Sequence, residues 1–136
     1  MLADDKDAVV ATIQKLFDAM AAHDSAAAKA VVQPEGRLYA ARPDGTLTQS
    51  TLDEFATHLG TMKDQMLERM WNPTVLIRGR IAQVWAEYDF YLNGKFHHCG
   101  IDNVSLVKGP EGWKVAGITY TAETSGCPES PLGPPK

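Results

Sequence analysis

No apolar run in this sequence approaches the roughly 20 residues that a membrane-spanning helix requires. Nor is there a basic stripe. The 13 Lys and Arg are outnumbered by 17 Asp and Glu spread along the chain, for a formal charge of −4. Neutralising phosphates takes clustered cations, so no nucleic-acid partner is expected. A membrane-surface role would need a cationic amphipathic helix, and that is missing too. Met1 to Asp7 lack the charged-then-apolar order of an export signal. The simplest expectation is a cytoplasmic protein, with an exported form that has lost its signal as the alternative.

Cysteine is scarce. Cys99 and Cys127 are the whole complement, too few and too far apart for a zinc site or a disulfide framework. One bridge is an option, since Cys99 falls in a strand and Cys127 just past the last strand. In a reducing cytoplasm two free thiols are the expectation. Nothing in the sequence calls for a metal or a cofactor.

What is present is enough for one core: 136 residues, 44% of them hydrophobic. Val9, Val10, Ile13, Leu16, Phe17 and Met20 recur every three or four residues, the mark of one apolar helix face, behind Asp4, Asp5 and Asp7 at the favourable end of the dipole. Asp24 or Ser25 can cap a second helix, which Pro34 and Gly36 end. Arg37 to Ala41 and Thr46 to Gln49 read as short strands around the Pro43-Asp44-Gly45 turn. Ser50 or Thr51, with Asp53 and Glu54, opens a third helix.

From Met66 the period changes to two. Leu67–Arg78, Ile81–Leu92, Phe96–Val107 and Trp113–Thr121 read as four strands, with Asn93-Gly94 a strong hairpin signal. Pro73 points to an edge position or a bend in the first of them. Residues 124–136, rich in proline, have almost nothing to bury and are expected to be disordered. The domain is thus residues 1–123, of class α+β.

This order of elements resembles the nuclear transport factor 2-like superfamily. The stretches that carry the resemblance are Asp53-Glu54-Phe55, Glu68-Arg69-Met70-Trp71, Val84–Tyr91, His98-Cys99-Gly100-Ile101-Asp102, Leu106–Lys108 and Gly112–Val115. Within the superfamily the chain is similar to a bacterial branch described as polyketide-cyclase-like or lumazine-binding-like. The resemblance implies a cone-shaped fold, three N-terminal helices on a curved antiparallel sheet, commonly dimeric and with a pocket inside. It also permits a comparison with ketosteroid isomerase. That enzyme's protonated acid falls on Asp102, its tyrosine donor on about Leu16, and its general base near Ala41 or Arg42. Two of three working groups are therefore missing, and that chemistry is rejected.

Alternation in the third long strand puts His98, Gly100, Asp102, Val104 and Leu106 on one face, with Val104 and Leu106 as core positions. His98 and Asp102 would sit about 13 Å apart on an extended strand, too far for a touching dyad. The hairpin leaves two registers open. A two-residue turn pairs Asp89 with His98 and Trp85 with Asp102. A three-residue loop pairs Phe90 with His98 and Ala86 with Asp102, turns Tyr88 inward, and leaves Trp85, Glu87, Asp89 and Ile101 on a convex dimer surface. The second groups the apolar residues and is preferred. The candidate pocket residues are Tyr39, Tyr88, Phe90, His98, Asp102 and Tyr120, with His98 and Asp102 the candidates for catalysis.

Each candidate also has a structural role open to it. His98 can be a hydrogen-bonded core histidine, the tyrosines core aromatics, and Trp71, Trp85 and Trp113 packing residues. Glu68-Arg69 reads as a surface ion pair worth about 0–1 kcal/mol. His97 and His98 should point to opposite faces and so fail to share a metal. Three functions stay open: a pocket for a small hydrophobic or aromatic molecule, an isomerase, dehydratase or cyclase with a His/Asp acid-base pair, or a filled dimerisation domain.

Overall fold

The computed structural model describes residues 2–135. It opens with a 21-residue helix, α1 (Leu2–Ala22), which buries Val9, Ile13, Leu16, Phe17 and Met20 along one side. Asp24 caps α2 (Ser25–Ala30) by accepting from the Ala27 amide at 3.0 Å. β1 (Val32–Ala41) and β2 (Leu47–Thr51) come next, then α3 (Leu52–Leu59). Its start is a reciprocal cap: Thr51 Oγ1 accepts from the Glu54 amide at 3.0 Å, and Glu54 Oε1 from the Thr51 amide at 2.9 Å. The long strands are β3 (Met66–Arg78), β4 (Ile81–Leu92), β5 (Lys95–Gly109) and β6 (Gly112–Thr121).

All six strands form one curved sheet in the order β2-β1-β6-β5-β4-β3. The α+β class stands, with two corrections. Two helices precede the strands, and α3 lies between β2 and β3. The sheet is mixed, since β1 runs parallel to β6 while the other pairs are antiparallel. The chain leaves β2 through α3 and starts its meander at the far edge. β6 thus meets β1 with no hairpin to force the antiparallel sense. Pro73 gets both of its expected outcomes: β3 is an edge strand, and it bulges between Trp71 and Thr74.

The Asn93-Gly94 hairpin reaches the preferred register by another route. The turn has two residues, at φ 53° and 78°, and closes on a Leu92–Lys95 pair. Unbroken, it would set Asp89 opposite His98. Instead Tyr91 pairs with Phe96 and Phe90 with His98, leaving His97 as an extra bulged residue. Burial is the reason. The shift puts Val84, Ala86 and Tyr88 on the inner face beside Val104 and Leu106, all buried. Helix α1 packs over this concave face, touching β3 and β6, and the core fills the space between.

The convex face corrects two further expectations. Cys99 and Cys127 are not free thiols but a disulfide with Cα atoms 6.0 Å apart. Glu123 and Cys99 exchange backbone hydrogen bonds of 2.9 and 2.8 Å, which carries Cys127 back over the sheet. The proline-rich segment is tied down there, next to Asp89. Glu68 and Arg69 are not a pair, because successive strand residues face opposite sides. Arg69 turns outward and grips Asp89 on β4 with two bonds, of 3.0 and 2.7 Å. Both side chains of that pair are largely buried, and Glu68 faces inward. Among the described residues no helix is long and apolar enough to cross a membrane.

Candidate functional site

Between α1, α3 and the concave wall lies a partly open cavity of about 280 Å³. Ile13, Leu16, Phe17 and Met20 of α1 form one side, and Phe55, His58 and Met62 the α3 side. Its sheet wall carries Leu38, Met66, Phe90, Val104, Val115 and Ile118, together with four residues able to do chemistry: Glu68, His98, Asp102 and Tyr120. A wider groove of about 720 Å³ lies outside, between α1, α2 and the β5–β6 turn. It is shallow, and its charges are solvated. The cone cavity is the better candidate because it joins apolar enclosure to buried titratable groups.

Asp102 is held on β5 between Ala86 and Tyr120 and is 4% exposed. Its carboxyl shares the cavity wall with that of Glu68 from β3, near enough for each to affect the other's protonation. Two carboxylates cannot bond each other, so the contact is favourable only when one carries a proton. Burial pushes Asp102 up to about 6. Burial first, then the charge of Asp102, raises Glu68 well above the usual carboxylate range. Asp102 Oδ2 has no hydrogen-bond partner. Both carboxyls therefore hold protons more tightly than solvated acids do, and one oxygen of the pair is buried without a partner.

His98 occupies another part of the wall. Its ring stacks on Phe90 with centroids 4.8 Å apart and lies over Tyr120 at 6.4 Å. Burial, helped by the nearby charges of His97 and Arg42, lowers it to about 4, so the imidazole is neutral at neutral pH. The bulge overturns the expectation that His97 and His98 point apart: their Nδ1 atoms are 2.8 Å from each other, one nitrogen donating to the other. Among the described residues no group of three or more His, Cys, Asp or Glu is placed to hold a metal ion.

Of the six residues expected at the pocket, Phe90, His98, Asp102 and Tyr120 line the cavity. Tyr39 does not. It alternates with Leu38, which faces in, and pairs with Gln49 and Thr119 on the outer side. Tyr88 lies beneath the wall, 1% exposed, and its hydroxyl donates to the Thr121 carbonyl. Burial and the Asp102 and Glu68 charges raise its pKa, which keeps it a phenol. Gly100, its partner across the ladder, makes this crossing feasible, since a Cβ there would run into Thr121.

His98 and Asp102 share the cavity but not a contact; the group that meets Asp102 is Glu68. Sequence reading missed Glu68 because an adjacent arginine offered an easier partner. A signal was there. In β3, Glu68 alternates with Met66 and Met70, both turned to the core side, and an acid in an apolar row faces inward with them.

No family profile and no curated protein matches the chain. Solved structures do. Kfla4162 from Kribbella flavida superposes with a TM-score of 0.76 at 12% identity, over 91% of this chain and 94% of that one. A nuclear transport factor 2-like superfamily protein from Salmonella enterica gives 0.73 at 17%, over 93% and 96%. A provisionally named dehydratase of the same family from Streptomyces avermitilis gives 0.73 at 13%, over 92% and 100%. At these identities the likeness is one of fold.

Proposed function

We propose that this chain, which has the nuclear transport factor 2-like fold, is a binding protein for a small and largely apolar molecule held inside the cone. The observation that supports this reading is the Glu68–Asp102 pair at the wall of an otherwise apolar cavity. A fold gains no stability from two acids buried together, so their presence is better explained by something they orient. The size is informative. A cavity of about 150 Å³ takes up benzene, so 280 Å³ suits a molecule of one or two rings. Native mass spectrometry of the purified protein tests the reading. A co-purified mass of that size should vanish in Ile118→Trp, which fills the cavity; a mass retained in the folded variant would place the ligand elsewhere.

A second reading is proton-transfer chemistry, supported by the same pair: with one of the two protonated, it contains one acid and one base. The rejection of isomerase chemistry rested on a missing base near Arg42, and Glu68 is a carboxylate in a different place. The structure from Streptomyces avermitilis keeps a dehydratase in view. Two finer proposals accompany these. The Cys99–Cys127 bridge fits an oxidising compartment better than the cytoplasm. The convex face, where Trp85 is 55% exposed, would serve as a homodimer surface, and sedimentation at micromolar concentration tests it: a dimer is expected, a monomer refutes it.

A further inference from the structure

We propose that the ligand of the cone is a primary amine: an ammonium group seated on Glu68 and Asp102, with a one- or two-ring apolar body between α1 and the sheet. This rests on the binding reading above and names the class of molecule bound.

Charge balance is the first argument. Glu68 and Asp102 stand side by side on a largely apolar cavity wall and bring negative charge there unless both are protonated, and among the described residues no Lys or Arg lines the cavity. The nearest basic residue in sequence, Arg69, is committed to Asp89 on the other face of the sheet. A buried charge without a counter-charge is costly, and a ligand cation removes that cost.

Hydrogen-bond supply is the second. Glu68 and Asp102 both line the cavity, and Asp102 Oδ2 is buried without a partner on a residue 4% exposed. The hydroxyl best placed to satisfy them from below, that of Tyr88, is spent on the Thr121 carbonyl. An ammonium supplies three donors; an alcohol supplies one, and a carbonyl or carboxylate none.

An aromatic ring is also at hand: Tyr120 stands opposite Asp102 across the β5–β6 ladder and lines the same cavity. The faces of such rings attract cations, and do so more strongly when both are desolvated. An anionic ligand would meet repulsion from the pair and gain nothing from the rings.

The test is calorimetric titration of the intact protein at neutral pH with 2-naphthylmethylamine, its neutral isostere 2-naphthylmethanol, and 2-naphthoate. The amine is expected to bind at least about tenfold more tightly than the alcohol, and the carboxylate not at all. In the double variant Glu68→Gln/Asp102→Asn, which leaves no carboxyl in the cavity, the preference for amine over alcohol should disappear while the alcohol still binds, which also shows that the variant is folded. Alcohol binding as tight as amine binding in the wild type would overturn the amine inference and leave the binding reading standing. If none of the three binds at millimolar concentration, and Ile118→Trp changes nothing, the binding reading falls and takes the inference with it.

Discussion

At the scale of single residues, the Glu68–Asp102 contact is where function and stability conflict. Glu68→Gln would give Asp102 a permanent amide donor in place of a second acid that must hold a proton. Unfolding in denaturant near neutral pH should show a gain of about 1–2 kcal/mol, with any ligand weakened. The pH dependence separates the acids from the histidine. Asp102, raised by burial from 3.8 to about 6, and Glu68, also raised, hold protons more tightly folded than unfolded. The Asp102 contribution is complete below about pH 4 and is lost as pH rises through about 6, and Glu68 acts in the same direction. His98, lowered by burial from 6.5 to about 4, contributes above 6.5 and loses that contribution as pH falls through about 4. Between these limits the two oppose each other. Thermal unfolding of His98→Gln should therefore show Tm rising as pH falls from about 7 to 5. The Glu68→Gln/Asp102→Asn double variant should show it falling. Parallel curves would contradict the assignment.

At the scale of elements, β5 carries the site and depends on two local devices. The His97 bulge turns His98 and Asp102 inward, and Gly100 lets Tyr88 cross to Thr121. Gly100→Ala should push β6 away and lower stability by about 2 kcal/mol or more in denaturant titrations. Leu106→Ala, at the buried end of the same strand, should cost about 2–5 kcal/mol with the cavity intact. The strands themselves were legible in the sequence, because a period of two and an Asn-Gly turn are local signals. The bulge was not. Only competition between the turn's preferred register and burial of Val84, Ala86 and Tyr88 produces it, and that competition is tertiary. The same limit hid Glu68, whose partner Asp102 lies two strands away, and the parallel β1–β6 contact, which joins distant parts of the chain. Asp102 and His98 were found because alternation tied them to Val104 and Leu106.

At the scale of the whole molecule, a cone closed by α1 and α3 holds a cavity on its concave side. Its convex side is strapped by the segment beyond Glu123. Part of the strap lies beside Asp89 of the Arg69–Asp89 pair. Closing a loop across the 28-residue separation of Cys99 and Cys127 is worth about 3–4 kcal/mol in a chain-entropy account. Cys127→Ser, or reductant, should lower Tm measurably while ligand binding on the opposite face survives. Carbon-13 NMR of the carboxyl carbons follows the coupling of the two acids in the cone directly. Glu68 and Asp102 are expected to titrate together, with one proton retained at about pH 6 and above. Two independent titrations, each complete below about pH 5 as for solvated carboxylates, would contradict it.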